Sequence, residues 1–224
     1  MLDWVPGDLS GLQVPAHSVA LRAGGESFLT EAFHSSGALA ADNRVAAITQ
    51  FEEWAGGSTG RKLLLSVAYD RPAPGLHTEL FVKFSRDFED PIRDRAKRQM
   101  QSEVRFASMS RLAGFPIAVP ACLFADYHQE SGTGILVTQR IAFGTGAIER
   151  HYDKCLDYEM PQPLEHYRAL LRTVASASES WYALIKTIFV RGAVSRIRIA
   201  PSTPLSVGRL MSSRTKSALT PRPS

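Results

Sequence analysis

Acidic side chains run out before this chain does. No Asp or Glu follows Glu179, while eight of the 26 Lys and Arg residues fall between Ser180 and Ser224. The formal charge of +4 therefore hides two parts: 18 basic against 22 acidic residues up to Glu179, and a wholly basic end beyond it. Such an end suits an anionic partner, but aromatic residues also stop, at Phe189, so it offers no ring on which a base would stack. Nucleic acid is not the expected partner. Cysteine is scarce as well. Cys122 and Cys155 alone fit neither a disulfide framework nor a metal cluster with ligand spacing, and a reducing, cytoplasmic setting is the expectation. Long hydrophobic runs are missing: the longest, Tyr182 to Val190, is broken by Lys186 and Thr187 and is too short for a bilayer, so no membrane partner is expected. The first eight residues have neither the basic start nor the apolar centre of a signal peptide.

What is present is a patterned, 44 % hydrophobic chain with enough apolar residues for one good core or two small ones. Between Ser27 and Gly37, Phe28, Leu29, Ala32 and Phe33 recur at helical spacing. Val45 to Trp54 and Lys62 to Tyr69 read as strands flanking Gly56-Gly57-Ser58-Thr59-Gly60, a hairpin tip. A third strand, Thr78 to Phe84, places Leu80, Val82 and Phe84 on one face and Phe81 and Lys83 on the other. Pro91 opens a helix to about Leu112, stopped by Gly114 and Pro116, with an apolar stripe of Ile92, Ala96, Met100, Val104 and Ala107. Glu103 lies beside Met100 and Ala107, bordering that stripe. Two more strands follow, Ala121 to Tyr127 and Ile135 to Gln139. After a glycine-containing linker, a helix from Pro163 to about Trp181 is expected to turn Tyr167, Leu170, Leu171 and Val174 inward. Beyond it, Ser, Arg, Pro and Thr predominate, a composition that does not support a packed core. The expected organisation is an N-terminal helical extension (1–44), a sheet domain (45–143), a linker with a partial helical region (144–181) and a disordered basic tail (182–224).

Within this order one pair carries chemistry. Lys83 stands on a strand and Glu103, 20 residues on, is the only acidic residue between Arg95 and Ala125. A strand cation steadied by a helix carboxylate is an arrangement for holding nucleotide phosphates. Together with the glycine-rich hairpin and the Ile135-Leu136-Val137-Thr138-Gln139-Arg140-Ile141 segment, the pair resembles the small lobe of the aminoglycoside phosphotransferase and choline-kinase-like family of small-molecule kinases. The resemblance covers roughly 45–181. It implies an α+β, protein-kinase-like small lobe: a five-stranded antiparallel sheet with one packed helix. It also implies ATP and magnesium as cofactors and a small-molecule hydroxyl as acceptor. By the same resemblance Gly56, Gly57, Ser58, Thr59 and Gly60 would cover the triphosphate, and Lys83 would contact phosphate oxygens while paired with Glu103. The strand-to-hinge segment with Gln139 and Ile141 would meet the adenine through backbone groups. Phe81 stands where protein kinases place a small alanine.

The second half of that family's chemistry has no counterpart. Its His-Gly-Asp loop and later metal-binding Asp would follow the helix ending near Trp181. Here the chain reads Tyr182-Ala183-Leu184-Ile185-Lys186-Thr187, and no Asp or Asn occurs after Asp157. His151-Tyr152-Asp153 has a His-x-Asp outline but precedes that helix, and Asp87-Phe88-Glu89 precedes the Glu103 helix. The expectation is an inactive member or fragment of an ATP-dependent phosphotransferase family. The alternatives are a non-catalytic nucleotide-binding module or pseudokinase and a truncated product whose sequence after Trp181 derives from a shifted reading frame or a missed splice junction.

Overall fold

Alternating apolar strands and two amphipathic helices build an α+β structure around one sheet. The computed structural model describes residues 3–55, 59–153 and 156–190; within these, the side chains of 94–97, 157 and 179–190 lie outside the description. The elements are β1 (Trp4–Pro6), β2 (Gln13–Pro15), α1 (Ser18–Ser36), β3 (Val45–Trp54), β4 (Lys62–Tyr69), β5 (Glu79–Phe84), α2 (Arg93–Met109), β6 (Cys122–His128), β7 (Thr133–Gln139) and α3 (Pro163–Val190). β1 and β2 form a small hairpin, and the other five strands form an antiparallel sheet ordered β3-β4-β5-β7-β6.

Strand parity decides the two faces of that sheet. Leu63, Leu65, Leu80, Val82, Phe84, Ile135 and Val137 point to one face, where they bury against Leu21, Phe28, Leu29 and Phe33 of α1 and Val5 and Val14 of the hairpin. The apolar face foreseen for β5 is thus the main core, and the N-terminal segment is its other half. The opposite face carries α2, whose Met100 and Val104 pack with Tyr127, Ala125 and Leu136. One member of the expected α2 stripe differs: Ile92 is exposed because it precedes the first helical turn; the Ala96 side chain lies outside the description.

The N-terminal segment also covers the sheet's edges, where unpaired backbone groups invite association. Along β3, Thr30 Oγ1 accepts from the Val45 N–H (3.0 Å), Glu26 Oε1 accepts from the Ile48 N–H (3.0 Å), and Arg22 donates to the Phe51 carbonyl (3.2 Å). These four-residue steps match one helix face to a strand with register shifts near Val45 and Ile48. A strand rises about twice as far per residue as a helix, and α1 makes up length with a break at Gly25 (φ 52°, ψ −142°), a conformation open to glycine. The Gly24-Gly25 pair explains why sequence periodicity places the helix start at Ser27 whereas α1 begins at Ser18.

At the other edge, Asp126 of β6 is fully buried and accepts from the backbone N–H groups of Leu9 (3.0 Å), Ser10 (2.9 Å) and Tyr127 (2.7 Å) and from the Ser10 hydroxyl. The Asp8 N–H donates to the Tyr127 carbonyl (2.9 Å), so the turn between β1 and β2 runs against β6. Cys122, also on β6, is buried and free, and burial pushes its thiol up to about 11. The thiolate is the reactive form. Alkylation of the native protein at neutral pH should leave Cys122 unmodified, and unfolding in urea should open it to reagent. Peptide mass spectrometry reads both states; modification at equal rates would contradict this packing.

α3 departs most from expectation. It runs to Val190, past the boundary foreseen near Trp181. Tyr167, Leu170, Leu171 and Val174, expected to face inward, are exposed. Helical periodicity gathers side chains on one face; it does not supply the layer that covers them. Among the described residues no helix is long and apolar enough to cross a membrane. Of the disordered basic tail expected over 182–224, residues 182–190 instead belong to α3, and residues 191–224 lie outside the described residues.

Candidate functional site

The α2 side of the sheet leaves a strip open beside the helix, and its chemistry changes along its length. At one end β5 brings in Lys83. Leu136 of β7 lies opposite Lys83 in register and packs on α2, so the lysine shares the helix-bearing face. Glu103 leans from α2 toward it. Lys83 Nζ donates to Glu103 Oε2 at 2.5 Å and to Thr59 Oγ1 at 2.8 Å. Lys83 is the more enclosed partner, with 13 % of its side chain exposed against 31 % for Glu103. The ammonium is thereby held at two points, with its third N–H left for another acceptor.

Thr59 reaches Lys83 because the β3–β4 connection folds back onto β5. Gly60 has φ 68°, and a Cβ placed there would lie 2.0 Å from the Phe84 carbonyl oxygen. The Phe84 N–H donates to the Arg61 carbonyl at 2.9 Å, and Arg61 Nε donates to Asp87 Oδ2 at 2.6 Å. The Asp87-Phe88-Glu89 triplet therefore helps hold this turn against the end of β5. Thr59, Gly60, Lys83, Arg86, Arg93 and Glu103 are among the residues lining a small cleft of about 20 Å3.

Lys62 joins this end without having been singled out by the sequence. It pairs with Lys83 across β4 and β5, is buried, and donates to the Gly60 carbonyl at 3.1 Å. Burial first, and the neighbouring Lys83 charge second, lower its pKa below the ordinary lysine value. Strand register makes it a neighbour of Lys83; sequence spacing alone does not reveal register.

Further along, the strip turns apolar. Phe81 is half-buried and meets Trp54 edge-to-face (5.9 Å between centroids); Trp54 in turn meets His151 (6.1 Å), which meets Phe143 (5.3 Å). His151 of the His-x-Asp outline is thus part of a ring cluster. A planar group entering here meets aromatic edges and faces. At the far end the Ser66 hydroxyl oxygen lies 2.9 Å from Gln50 Oε1 and 3.0 Å from Glu79 Oε2, with one proton to give to either, while Arg140 donates to Gln50 (3.0 Å) and pairs with Glu79.

The expected site residues fall into three groups. Thr59, Gly60, Lys83 and Glu103 come together. Gln139 and Ile141 lie at the other end: Gln139 pairs with Leu80, and its N–H is already donated to the Ala121 carbonyl (2.8 Å). Ile141 is exposed. Gly56, Gly57 and Ser58 lie outside the described residues. Among the described residues no group of three or more His, Cys, Asp or Glu side chains is placed to hold a metal ion. Comparison with protein-family models, with curated proteins and with solved structures finds no match.

Proposed function

We propose that this chain is the nucleotide-binding small lobe of an ATP-dependent small-molecule phosphotransferase, of the aminoglycoside phosphotransferase and choline-kinase-like kind, and that alone it binds nucleotide without turning it over. The observation that carries this reading is Lys83 Nζ held between Glu103 and Thr59 at the mouth of a glycine-bearing turn. A lysine fixed by a carboxylate presents a positioned point charge to phosphate oxygens. The aromatic stretch beginning two residues away at Phe81 suits a base, and the distance from Lys83 to Glu79 is about 13 Å at strand rise, an extended ligand's length. The acceptor would be a small-molecule hydroxyl, chosen by residues that this strip does not supply. Phosphoryl transfer needs a base beside that hydroxyl and carboxylate or amide ligands for magnesium.

One sheet face encloses a ligand only partly, so affinity should be modest, with a Kd on the order of 0.1–1 mM. Calorimetric titration of the full chain with Mg-ATP should show saturable binding, and Lys83→Met should weaken it at least tenfold while the far-ultraviolet circular dichroism is unchanged. Incubation with ATP and a panel of hydroxyl acceptors should yield no ADP above background. Absence of ATP binding by the wild-type chain would overturn the proposal, and ADP production coupled to an acceptor would overturn its non-catalytic half.

A further inference from the structure

Two lysines share one carboxylate at the head of the strip, and only one of them is neutralised. Lys83 has Glu103. Lys62 has the Gly60 carbonyl, a neutral acceptor, and among the described residues no carboxylate stands within ion-pair distance of it. Arg61 and Arg86, which also act on Lys62 electrostatically, are each paired, with Asp87 and Asp90. Lys62, Lys83 and Glu103 together therefore carry one uncompensated positive charge, beside the turn that carries Thr59 and Gly60.

From this we infer that Lys62 is a second anion-binding residue, forming with Lys83 a two-lysine clamp for the polyphosphate chain of a nucleoside triphosphate. The inference rests on the nucleotide reading above and adds to it the source of net charge. Lys83, already paired, contributes position. Lys62 contributes the charge that an incoming phosphate neutralises. Its place across from Lys83 puts two ammonium groups on one face of adjacent strands, which lie about 4.8 Å apart, a spacing that lets neighbouring phosphate oxygens take one each. The Gly60 carbonyl that now accepts from Lys62 is the group a phosphate oxygen would replace.

Burying a lysine without a carboxylate destabilises the empty protein, because desolvation disfavours its charged form. The lowered pKa of Lys62 has that origin. The sign follows from proton linkage: with the folded pKa below the unfolded one, the unfolded chain binds more protons in the interval between them, and stability rises with pH there. A lysine kept for packing alone gives no reason for the charge. A lysine kept for an anion predicts a trade, in which removing the charge stabilises the apo fold and weakens binding.

Calorimetry and thermal unfolding of the full chain test this with Lys62→Met, Lys62→Arg and wild type against Mg-ATP, adenosine and inorganic tripolyphosphate. Lys62→Met should raise the apo Tm by about 2–4 °C. It should weaken Mg-ATP and tripolyphosphate at least tenfold, and change adenosine less than twofold. Lys62→Arg should retain most of the affinity. If Lys62→Met binds Mg-ATP like wild type, the clamp is overturned and the nucleotide reading stands. If adenosine weakens as much as Mg-ATP, Lys62 acts through structure and the clamp is again overturned. If wild type binds tripolyphosphate but no adenine compound, and Lys62→Met loses the former, the clamp stands and the nucleotide reading falls. If wild type binds neither, both fall.

Discussion

Replacing Asp126 by alanine should destabilise the protein by about 1–3 kcal/mol, the range for leaving buried hydrogen-bond donors without their acceptor. The carboxylate is fully buried and takes hydrogen bonds from Leu9, Ser10 and Tyr127 N–H groups and from the Ser10 hydroxyl. Alanine leaves those donors without their acceptor. Asparagine is the sharper test, because it is nearly isosteric, yet it sets an NH2 group among donors and keeps a single acceptor oxygen. Urea unfolding should show both variants with earlier midpoints. Hydrogen exchange at Leu9 and Ser10 should accelerate before the β4 and β5 amides do, since the turn is released first. Wild-type midpoints in both variants would sink this account of how the hairpin is held to β6. Gly7 gives an independent check, because a Cβ there would lie 2.2 Å from the Asp126 carboxylate.

Gly60→Ala should be the most damaging single methyl at the candidate site. Two costs combine. A left-handed backbone costs a non-glycine residue about 1–2 kcal/mol, and overpacking against a fixed neighbour adds about 1–3 kcal/mol. The neighbour is fixed: the methyl would meet the Phe84 carbonyl oxygen, and Phe84 is itself buried in the sheet core. Relief comes by lifting the turn from β5, which pulls Thr59 from Lys83 and the Gly60 carbonyl from Lys62. Stability should drop by about 2–5 kcal/mol, and Mg-ATP affinity, where wild type shows it, should fall with it. Thr59→Val separates the two effects, since it removes the hydroxyl contact without the backbone strain. Gly60→Ala with wild-type unfolding would show that the turn yields freely and does not position Lys83.

Both predictions fall on residues that linear reading passed over or took for a turn. Lys83 and Glu103 were legible because each depends on a local rule: strand alternation turns Lys83 away from Leu80 and Val82, and helical spacing sets Glu103 beside Met100. Lys62 was not legible, since its importance comes from standing opposite Lys83, and that register is set by the whole sheet. Asp126 reads as an ordinary strand polar residue until the turn more than 110 residues earlier folds against it. Tyr167, Leu170, Leu171 and Val174 show the converse error, in which helical periodicity was taken for a burial that no packed layer among the described residues provides.

By itself the sequence determined the existence and order of the sheet strands and of α2, the two-faced character of β5, the change to a wholly basic end and the candidate ion pair. All of these follow from the period of the backbone and the chemistry of adjacent side chains. Only the tertiary structure decided that the N-terminal segment completes the core and covers both sheet edges, that Lys62 stands with Lys83, and that the aromatic rings gather around Trp54. Those outcomes depend on contacts between distant segments, where many pairings satisfy the local rules and packing of the whole chain selects one.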